Sequence, residues 1–195
     1  MTAPKYKRLA PEDRAAELVQ AGLRVLAKGG ITAFTIDNIC KASGASRGLV
    51  GHHFGGKDGL LAACYAAAYA PLLQAIAPEH PPSLSALLEE LLSDRQFRRE
   101  GLNIWLALWG EIAVNPTLRA EHLRQYDRYH RAIAAAIAAE RAPDADRLAS
   151  GLIALLDGLW VEMCIAPDRM TMATARQVVA DFLAPHLTVD FRTPL

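Results

Sequence analysis

The chain has 195 residues, and 52% of them are hydrophobic, which is enough to bury a core and excludes a disordered protein. Its 21 Lys and Arg balance 21 Asp and Glu, but residues 1–60 carry nine basic against five acidic side chains, an excess that indicates a polyanionic partner for this end. Apolar runs such as residues 132–139 are far short of the ~20 residues of a membrane helix, so the sequence predicts a cytoplasmic protein without a membrane segment.

The first predicted helix begins near Pro11, because proline is favoured in a first helical turn and the acidic Glu12 and Asp13 stabilise the positive end of the helix dipole. Apolar residues then recur at helical spacing up to Gly29-Gly30, a pair that is typical of a helix C-terminus. The sequence therefore predicts one amphipathic helix between Pro11 and this glycine pair.

Two shorter helices are predicted next, over residues 35–42 and 46–54, with Thr35 and Ser46 as their N-caps. The connection between them is short and contains Gly44, which suits the left-handed backbone of a tight turn. This pattern is typical of a helix-turn-helix, whose second helix lies in the major groove of DNA and whose free N–H groups bind a phosphate. The apolar residues that would pack the pair against the first helix are Ile36, Ile39, Val50 and Phe54.

The rest of the chain is rich in Leu and Ala, and prolines or capping residues mark several helix ends. Helices are predicted over residues 57–76, from 83 onward, and over 97–114, 116–139, 143–165 and 171–184, with a loop at Pro78, Pro81 and Pro82. The sequence shows no sustained alternation of apolar and polar residues, so no strand is predicted. The expected fold is all-α with about nine helices: a helix-turn-helix domain in residues 1–58 and a helical ligand-binding and dimerisation domain in 59–195.

The run TIDNICKASGASRGLVGHHFGGKDGL, residues 35–60, resembles the TetR/AcrR family of bacterial transcriptional repressors. It closely matches the family pattern Thr-Ile-x-x-Ile, Ala-Gly-x-Ser-x-Gly, His-aromatic-Phe and Lys-x-x-Leu. The resemblance implies a DNA-binding N-terminal domain followed by an all-helical domain that binds a small-molecule effector and forms a homodimer. The plainer interpretation of residues 46–57 is a short helix with exposed histidines.

The resemblance also implies which residues meet double-stranded DNA. Thr35 would cap its helix and touch a phosphate, and Lys57 would bind another phosphate at the start of the next helix, where the helix dipole attracts the same anion. The other implied DNA-binding residues all lie on the recognition helix or at its start: Ser46, Arg47, Gly48, Leu49, Gly51, His52 and His53.

Two of these positions depart from the family pattern. Gly51 stands where many members have Tyr, which predicts a shifted base preference. His53 replaces another usual Tyr, so we expect its phosphate contact to strengthen in mildly acidic solution, where imidazole gains charge. A metal site at His52 and His53 is disfavoured because adjacent helical side chains diverge. The basic residues 5–8, KYKR, either reach the minor groove or form a solvated tail.

The C-terminal half contains candidate ligand-binding residues. Trp105 and Trp109 are four residues apart and share one helix face, and Trp160 lies in the apolar stretch 151–160. Asp157 is the odd residue of that stretch, because a buried carboxylate is costly unless it is paired or hydrogen-bonded. Aromatic faces beside a carboxylate suit a quaternary ammonium ligand. The alternatives are core packing for the tryptophans, and helix capping or a dimer contact for Asp157.

Three further segments, IWLALWGEI, NPTLRAEHLRQYDRYHR and GLIALLDGLW, resemble BetI-type, choline-responsive members of the family. This resemblance implies choline or another quaternary amine as the effector. Other polar side chains of the same half would suit a different small molecule if they face the same cavity: Asn103, Glu111, Tyr126 and Tyr129.

The last two predicted helices, residues 144–165 and 171–184, are the expected dimer faces. Family resemblance implies a four-helix bundle from two copies, and a two-fold dimer would present two recognition helices to a palindromic operator. The apolar residues that we expect to need covering are Leu152, Leu155, Leu156, Leu159, Val178, Val179, Phe182 and Leu183.

Cysteine and motif content argues against catalysis. Cys40, Cys64 and Cys164 form no CxxC pair, so we expect separate thiols in a reducing compartment. The sequence has no Gly-rich phosphate loop and no HExxH, so we expect no enzyme, no cofactor and no metal. Two other classes stay open: an all-helical small-molecule binding protein or enzyme without DNA binding, and a helical adaptor that has lost DNA binding.

Overall fold

A computed structural model of the chain describes residues 11–75, 83–94 and 98–187, and these residues form nine helices and no strand. The helices are α1 Pro11–Ala33, α2 Ile36–Ser43, α3 Arg47–Phe54, α4 Lys57–Ala75, α5 Leu84–Leu91, α6 Arg99–Ile112, α7 Pro116–Ala139, α8 Ala145–Ile165 and α9 Met172–Leu183. The all-α prediction is confirmed. The basic segment 5–8 and the predicted proline loop at 78–82 lie outside the described residues.

The first three helices form a unit around a small core. Ile39 of α2 and Val50 of α3 are fully buried, and α2 packs along α1. Ile36 and Phe54 are half-buried and pack against the same core. Burial of these side chains removes apolar surface from water, which is what holds two helices as short as α2 and α3 in place. The predicted packing against α1 is observed for α2, whereas α3 packs mainly against α4 and α2.

Several helix ends follow the predicted chemistry. Thr35 caps α2 by accepting a hydrogen bond from the N–H of Asn38 over 3.2 Å, and Gly44 adopts the left-handed conformation with φ 67°. Asn115 caps α7 in the same way, with Pro116 in the first turn. Ser46 occupies the N-cap position of α3, but its side chain makes no cap bond.

Two helix boundaries differ from the prediction. The backbone leaves the helical region at Gly30, with φ 62°, as the glycine pair predicted, but a further turn carries α1 to Ala33. Asp144 precedes α8 with φ 55° and no cap bond, so the helix begins at Ala145. Glycine tolerates a positive φ freely, and aspartate is among the few other residue types that are enriched there.

The remaining helices extend the same core through the rest of the chain. α7 packs against α4 and α8, and α6 packs along α1 as well as against α8. Burial in this core raises the pKa of the Cys64 thiol to about 12. Cys64, like Cys40 and Cys164, is a free thiol, as predicted.

The last two helices, α8 and α9, leave less apolar surface exposed than predicted. Five of the eight residues assigned to dimer faces are buried in the chain's own core: Leu152, Leu156, Leu159, Val179 and Leu183. The other three, Leu155, Val178 and Phe182, are only half-buried. The prediction overestimated the free apolar surface because it had no information on how α8 packs against α6 and α7. Leu155, Val178 and Phe182 remain available to a partner.

α8 is the one helix in the described part of the chain that is long and apolar enough to cross a membrane, judged by length and composition alone. The core helix of a soluble protein passes the same test. α8 packs against α6, α7 and α9 within the chain.

Candidate functional site

The predicted recognition helix α3 is held from one side and open on the other. Val50 is buried in the core, and Leu49 is half-buried against it. The open face is contributed by the other predicted DNA-binding residues of this region: Ser46, Arg47, Gly48, Gly51 and His52 are exposed, and His53 is half-buried. Thr35, at the start of α2, is exposed as well. The structure therefore brings all the predicted residues of α2 and α3 into one region, with Leu49 partly turned to the core.

The exposed face of α3 is smooth. A Cβ built on Gly48 or on Gly51 would meet no atom within 4 Å, so the protein's own packing does not require either glycine. The two positions are three residues apart and lie on the same side of the helix. A second surface can therefore approach the helix backbone closely at this point.

Arg47 opens α3 and forms an ion pair with Asp37 in the first turn of α2. One guanidinium nitrogen of Arg47 lies 2.5 Å from Oδ1 of Asp37. The two side chains are 74% and 62% exposed. The sequence analysis placed Asp37 only at the start of a helix. It missed the ion pair because the pair depends on how α2 and α3 cross, which the sequence does not show.

Lys57 is placed by a tight glycine turn between α3 and α4. Gly55 and Gly56 both have positive φ, 72° and 141°. A Cβ on Gly59 would lie 1.9 Å from the carbonyl oxygen of Phe54, so only glycine lets the end of α3 approach the first turn of α4 this closely. Lys57 is exposed at the N-terminus of α4, where the N–H groups of the first turn also favour an anion.

A hydrogen bond connects this turn to the second half of the molecule. The amide Nδ2 of Asn115 donates to Oδ1 of Asp58 over 3.0 Å, while Oδ1 of Asn115 caps α7. Asp58 is the immediate neighbour of Lys57. One side chain therefore joins the start of α7 to the predicted phosphate-binding end of α4.

The three predicted ligand-site tryptophans are stacked on one another, and we call them the indole cluster. Ring centroids are 6.1 Å apart for Trp105 and Trp109, 6.4 Å for Trp105 and Trp160, and 6.5 Å for Trp109 and Trp160. Trp105 and Trp160 are buried, and Trp109 is half-buried. The cluster joins α6 to α8.

Tyrosines extend this cluster toward α4 and α7. Tyr65 and Tyr69 of α4 meet Trp105 edge-on, with centroids 5.7 and 5.0 Å away. Tyr129 lies 6.1 Å from Tyr69, and its buried hydroxyl has no hydrogen-bond partner among the described residues. The hydroxyl of Tyr65 is 2.7 Å from Nδ1 of His122 on α7.

Sequence reasoning missed Tyr65, Tyr69 and His122. A signal for them was present: Tyr65 and Tyr69 are four residues apart, as are His122 and Tyr126, so each pair shares one helix face. The same spacing had identified the tryptophans. Asn103, which was considered as a ligand contact, instead donates to the carbonyl of Ala27 on α1.

Asp157 lies among these aromatic side chains. Burial raises the pKa of its carboxyl to about 6, and the group makes no hydrogen bond or ion pair with a described residue. The pKa of Tyr69 is raised to about 12, mainly by burial and with a smaller contribution from the negative charge of Asp157. Tyr129 shows the same two effects, with burial again the larger. A partly desolvated carboxylate without a cationic partner favours the arrival of one.

Two clefts in the described part of the chain lie elsewhere. One, of about 460 Å³, is lined by α1 and α2 and includes Arg24 and Lys28. The other, of about 580 Å³, lies along α1 beside Ser43. No residue of the indole cluster lines either cleft, so a ligand entering between the indoles would have to separate rings that now stack.

Together, an exposed second helix, a capped partner helix and an exposed lysine at the N-terminus of α4 are the features of a helix-turn-helix DNA-binding protein, and the aromatic residues around Asp157 form a candidate sensor site. Comparison with protein families agrees. Residues 18–64 match the family described as bacterial regulatory proteins, tetR family, and residues 82–188 match the BetI-type transcriptional repressor C-terminal domain. The chain belongs to the TetR family of transcriptional regulators, with a BetI-type C-terminal domain.

Relatives of known name support this assignment. The HTH-type transcriptional regulator BetI 1 of Chromohalobacter salexigens is 30% identical over 182 residues, covering 89% of this chain and 90% of that protein. The HTH-type transcriptional regulator BetI of Burkholderia thailandensis is 31% identical over 183 residues, covering 88% and 92%. The chain is therefore similar, over nearly its whole length, to HTH-type transcriptional regulators.

Solved structures share the fold. A transcriptional regulator from Pseudomonas aeruginosa PAO1 is 31% identical, with a TM-score of 0.80 over 93% of this chain and 94% of that one. A regulator from Saccharomonospora viridis, solved in complex with choline, is 23% identical, with a TM-score of 0.74 over 90% and 98%. At that identity the second likeness establishes the architecture alone.

Proposed function

We propose that the protein is a cytoplasmic repressor without enzymatic activity that binds a palindromic operator as a homodimer and is released by a quaternary ammonium effector such as choline. The proposal of DNA binding rests on the exposed face of α3, which has no side chains at Gly48 and Gly51 and lies beside Arg47 and Lys57. The observation that carries the sensor half is the unpaired carboxyl of Asp157 among stacked aromatic rings. We place the division between the two domains at residues 58 and 59.

The operator interface is proposed from the arrangement of charges and N–H groups. Lys57 at the N-terminus of α4 and Thr35 at the N-terminus of α2 each stand where a helix dipole favours a phosphate. Between them, α3 offers Arg47 and His52 to base edges, while Gly51 allows the backbone to come near. Phosphate contacts would set the register, and α3 would read the sequence.

A cationic effector is proposed from the chemistry of the aromatic site. Trp105, Trp109 and Trp160 present electron-rich faces, and a quaternary ammonium is attracted to such faces by its charge without needing a hydrogen bond. Asp157 would supply the opposite charge. The unpartnered hydroxyl of Tyr129 is a polar group that a ligand can satisfy. The choline held by the Saccharomonospora viridis regulator is consistent with this ligand class.

Release of DNA follows if the effector moves α6. Trp105 and Trp109 lie on α6 and Trp160 on α8, so a ligand between these rings would separate the two helices. α6 packs along α1, and its Asn103 is hydrogen-bonded to the α1 carbonyl of Ala27. The spacing of the two DNA-binding domains in a dimer would change with α6. The effector must bind this DNA-incompetent state more tightly for the population to shift.

The DNA-binding half is tested by fluorescence anisotropy with labelled intergenic DNA next to the protein's own gene. Lys57→Ala should weaken binding by about tenfold and lower the salt dependence by about one ion. Arg169→Ala, which removes an exposed charge from the turn between α8 and α9, is the control and should leave binding unchanged. Equal affinity of the wild type for this DNA and for random duplexes would favour the small-molecule binding protein or adaptor.

The sensor half is tested with the same complex and a panel of amines. Choline and tetramethylammonium should release the DNA, whereas ethanolamine, which lacks methyl groups on nitrogen, should do so poorly. Trp160→Leu and Asp157→Asn should lose this response and keep operator binding. Release by an uncharged or anionic compound, with no effect of either variant, would contradict the proposed effector class and leave the regulator itself standing.

A further inference from the structure

The ion pair between Arg47 and Asp37 places a carboxylate at the surface that is proposed to face DNA. Asp37 and Arg47 stand in the first turns of α2 and α3, and the carboxylate oxygen lies 2.5 Å from the guanidinium. A negative charge at this place is repelled by every phosphate of an approaching duplex. The Asp37 carboxylate therefore lowers the affinity for DNA of any sequence, unless it also helps to recognise a particular sequence.

Stability does not account for the pair. Both side chains are largely exposed, at 62% and 74%, so water and salt screen their attraction. Asp37 also stands where the α2 dipole favours an acid, but Thr35 already caps that helix end through the N–H of Asn38. The Asp37 carboxylate instead binds a side chain of the neighbouring helix.

The geometry of a guanidinium makes a different role available. Arginine carries five N–H donors in a rigid planar fork, and one carboxylate oxygen occupies only part of it. The remaining donors match the O6 and N7 acceptors that guanine presents in the major groove. An arginine held on one side by a carboxylate loses less rotational freedom when it meets that base.

We propose that Asp37 is a specificity-determining positioning residue, which holds Arg47 so that its free N–H groups read one guanine of the operator. Exclusion of water by the duplex would strengthen the pair at the moment of reading. On DNA without that guanine, the guanidinium would lack its base partner and the carboxylate would still repel phosphates. Asp37 would thus weaken binding to all DNA, and it would weaken binding to DNA without that guanine more than binding to the operator. The inference rests on the proposed function, because it requires α3 to enter the major groove.

The test is a double-mutant cycle on base discrimination. Anisotropy titrations compare the wild type, Asp37→Asn, Arg47→Ala and the double variant on the operator, on operators with each G·C pair changed in turn to A·T, and on random DNA. We expect Arg47→Ala to lose about tenfold discrimination at one G·C pair in each half-site. Asp37→Asn should lose most of that discrimination at the same pair while binding random DNA more tightly. In the Arg47→Ala background, Asp37→Asn should change no discrimination.

Glu17→Gln is the control, because Glu17 forms a half-buried ion pair with Arg14 on α1 of the same domain. It removes the same charge and should leave base discrimination intact. If Asp37→Asn tightens operator and random DNA equally and keeps discrimination, Asp37 is a repulsive charge only and the inference is overturned. A lowered melting temperature with no base-specific loss would assign Asp37 to the α2 dipole and overturn it too.

Failure of the proposed function would look different. If neither Arg47→Ala nor Lys57→Ala changes binding to any DNA, α3 is not the reading helix. If Lys57→Ala weakens operator binding but Arg47→Ala alters discrimination at no base pair, the regulator stands and the role of Asp37 is refuted.

Discussion

At the scale of single residues, Asp157 controls the electrostatics of the aromatic site. Burial raises the pKa of its carboxyl from 3.8 to about 6, so between these values the folded protein holds a proton that the unfolded chain has released. Because the folded state binds more protons in that window, its stability falls as pH rises through it. Above about pH 6 the full cost of a desolvated carboxylate is present.

Asp157→Asn should remove this pH dependence. It should also raise the free energy of unfolding near neutral pH by about 1–2 kcal/mol, because partial exposure to solvent screens some of the carboxylate's cost. Urea unfolding of the effector-free protein at acidic and neutral pH measures it. Asp168→Asn, which neutralises an exposed carboxyl in the turn before α9, is the control and should change neither value.

A quaternary ammonium should bind more tightly as pH rises through about 6, because the Asp157 carboxyl then becomes negatively charged. An affinity that does not change with pH would contradict the role assigned to Asp157.

The ligand-site residues show how far a sequence predicts a site. Trp105 and Trp109 were identifiable because their spacing puts them on one helix face, and Asp157 because a lone carboxylate interrupts an apolar stretch. Tyr65 and Tyr69 share the same spacing, but nothing in the sequence indicates that their face of α4 meets α6. The pairing of Asp37 with Arg47 is a further case, since it depends on how two helices cross.

At the scale of helices, the glycines of α3 and α4 have opposite roles. Gly51 is helical and faces open space, and glycine inside a helix costs about 0.5–1 kcal/mol relative to alanine. Gly59 lies against the Phe54 carbonyl, where a side chain does not fit. We infer that the first glycine serves contact with DNA and the second serves the fold.

Substitution of the two glycines by alanine separates these roles. Gly51→Ala should raise the free energy of unfolding by about 0.5–1 kcal/mol and weaken operator binding. Gly59→Ala should destabilise the protein by roughly 1–3 kcal/mol, because α3 and α4 must move apart. Chemical unfolding and anisotropy on the same samples report both quantities. A more stable Gly51→Ala protein with undiminished operator affinity would show that DNA does not approach the helix at this point.

Helix positions were more predictable than helix ends. Repeating apolar residues and the caps Thr35 and Asn115 locate α2 and α7 because both signals are local. Ser46 has the right identity for a cap but makes no cap bond. Asp144 takes a left-handed conformation that non-glycine residues adopt uncommonly, so the sequence did not indicate it.

At the scale of the whole molecule, α8 leaves apolar surface that one chain does not cover. Only 39% of the apolar stretch of α8 is buried within the chain, and Ile165 at its end is 70% exposed. Leu155 on α8 and Phe182 on α9 are half-buried. A second copy placed against α8 and α9 would cover this surface, in agreement with the proposed homodimer.

Ile165→Glu should weaken dimerisation and with it operator affinity, because a charge would be buried between the two copies. Val114→Glu is a matched control, since Val114 is 73% exposed at the end of α6 and belongs to neither α8 nor α9. Sedimentation should give twice the chain mass of 21.1 kDa for the wild type and Val114→Glu. A monomeric wild type would contradict the dimer, and a fully dimeric Ile165→Glu would move the interface away from this end of α8.

The indole cluster has an optical consequence. The chain has only three tryptophans, and all three stack together beside Asp157. Tryptophan emission from the entire protein therefore originates at one location, and rings this close share their excited states. A molecule bound between the indole rings would change the wavelength and intensity of this fluorescence, whereas the helix-turn-helix region contains no tryptophan. The protein thus carries an intrinsic, label-free reporter of occupancy at its sensor site.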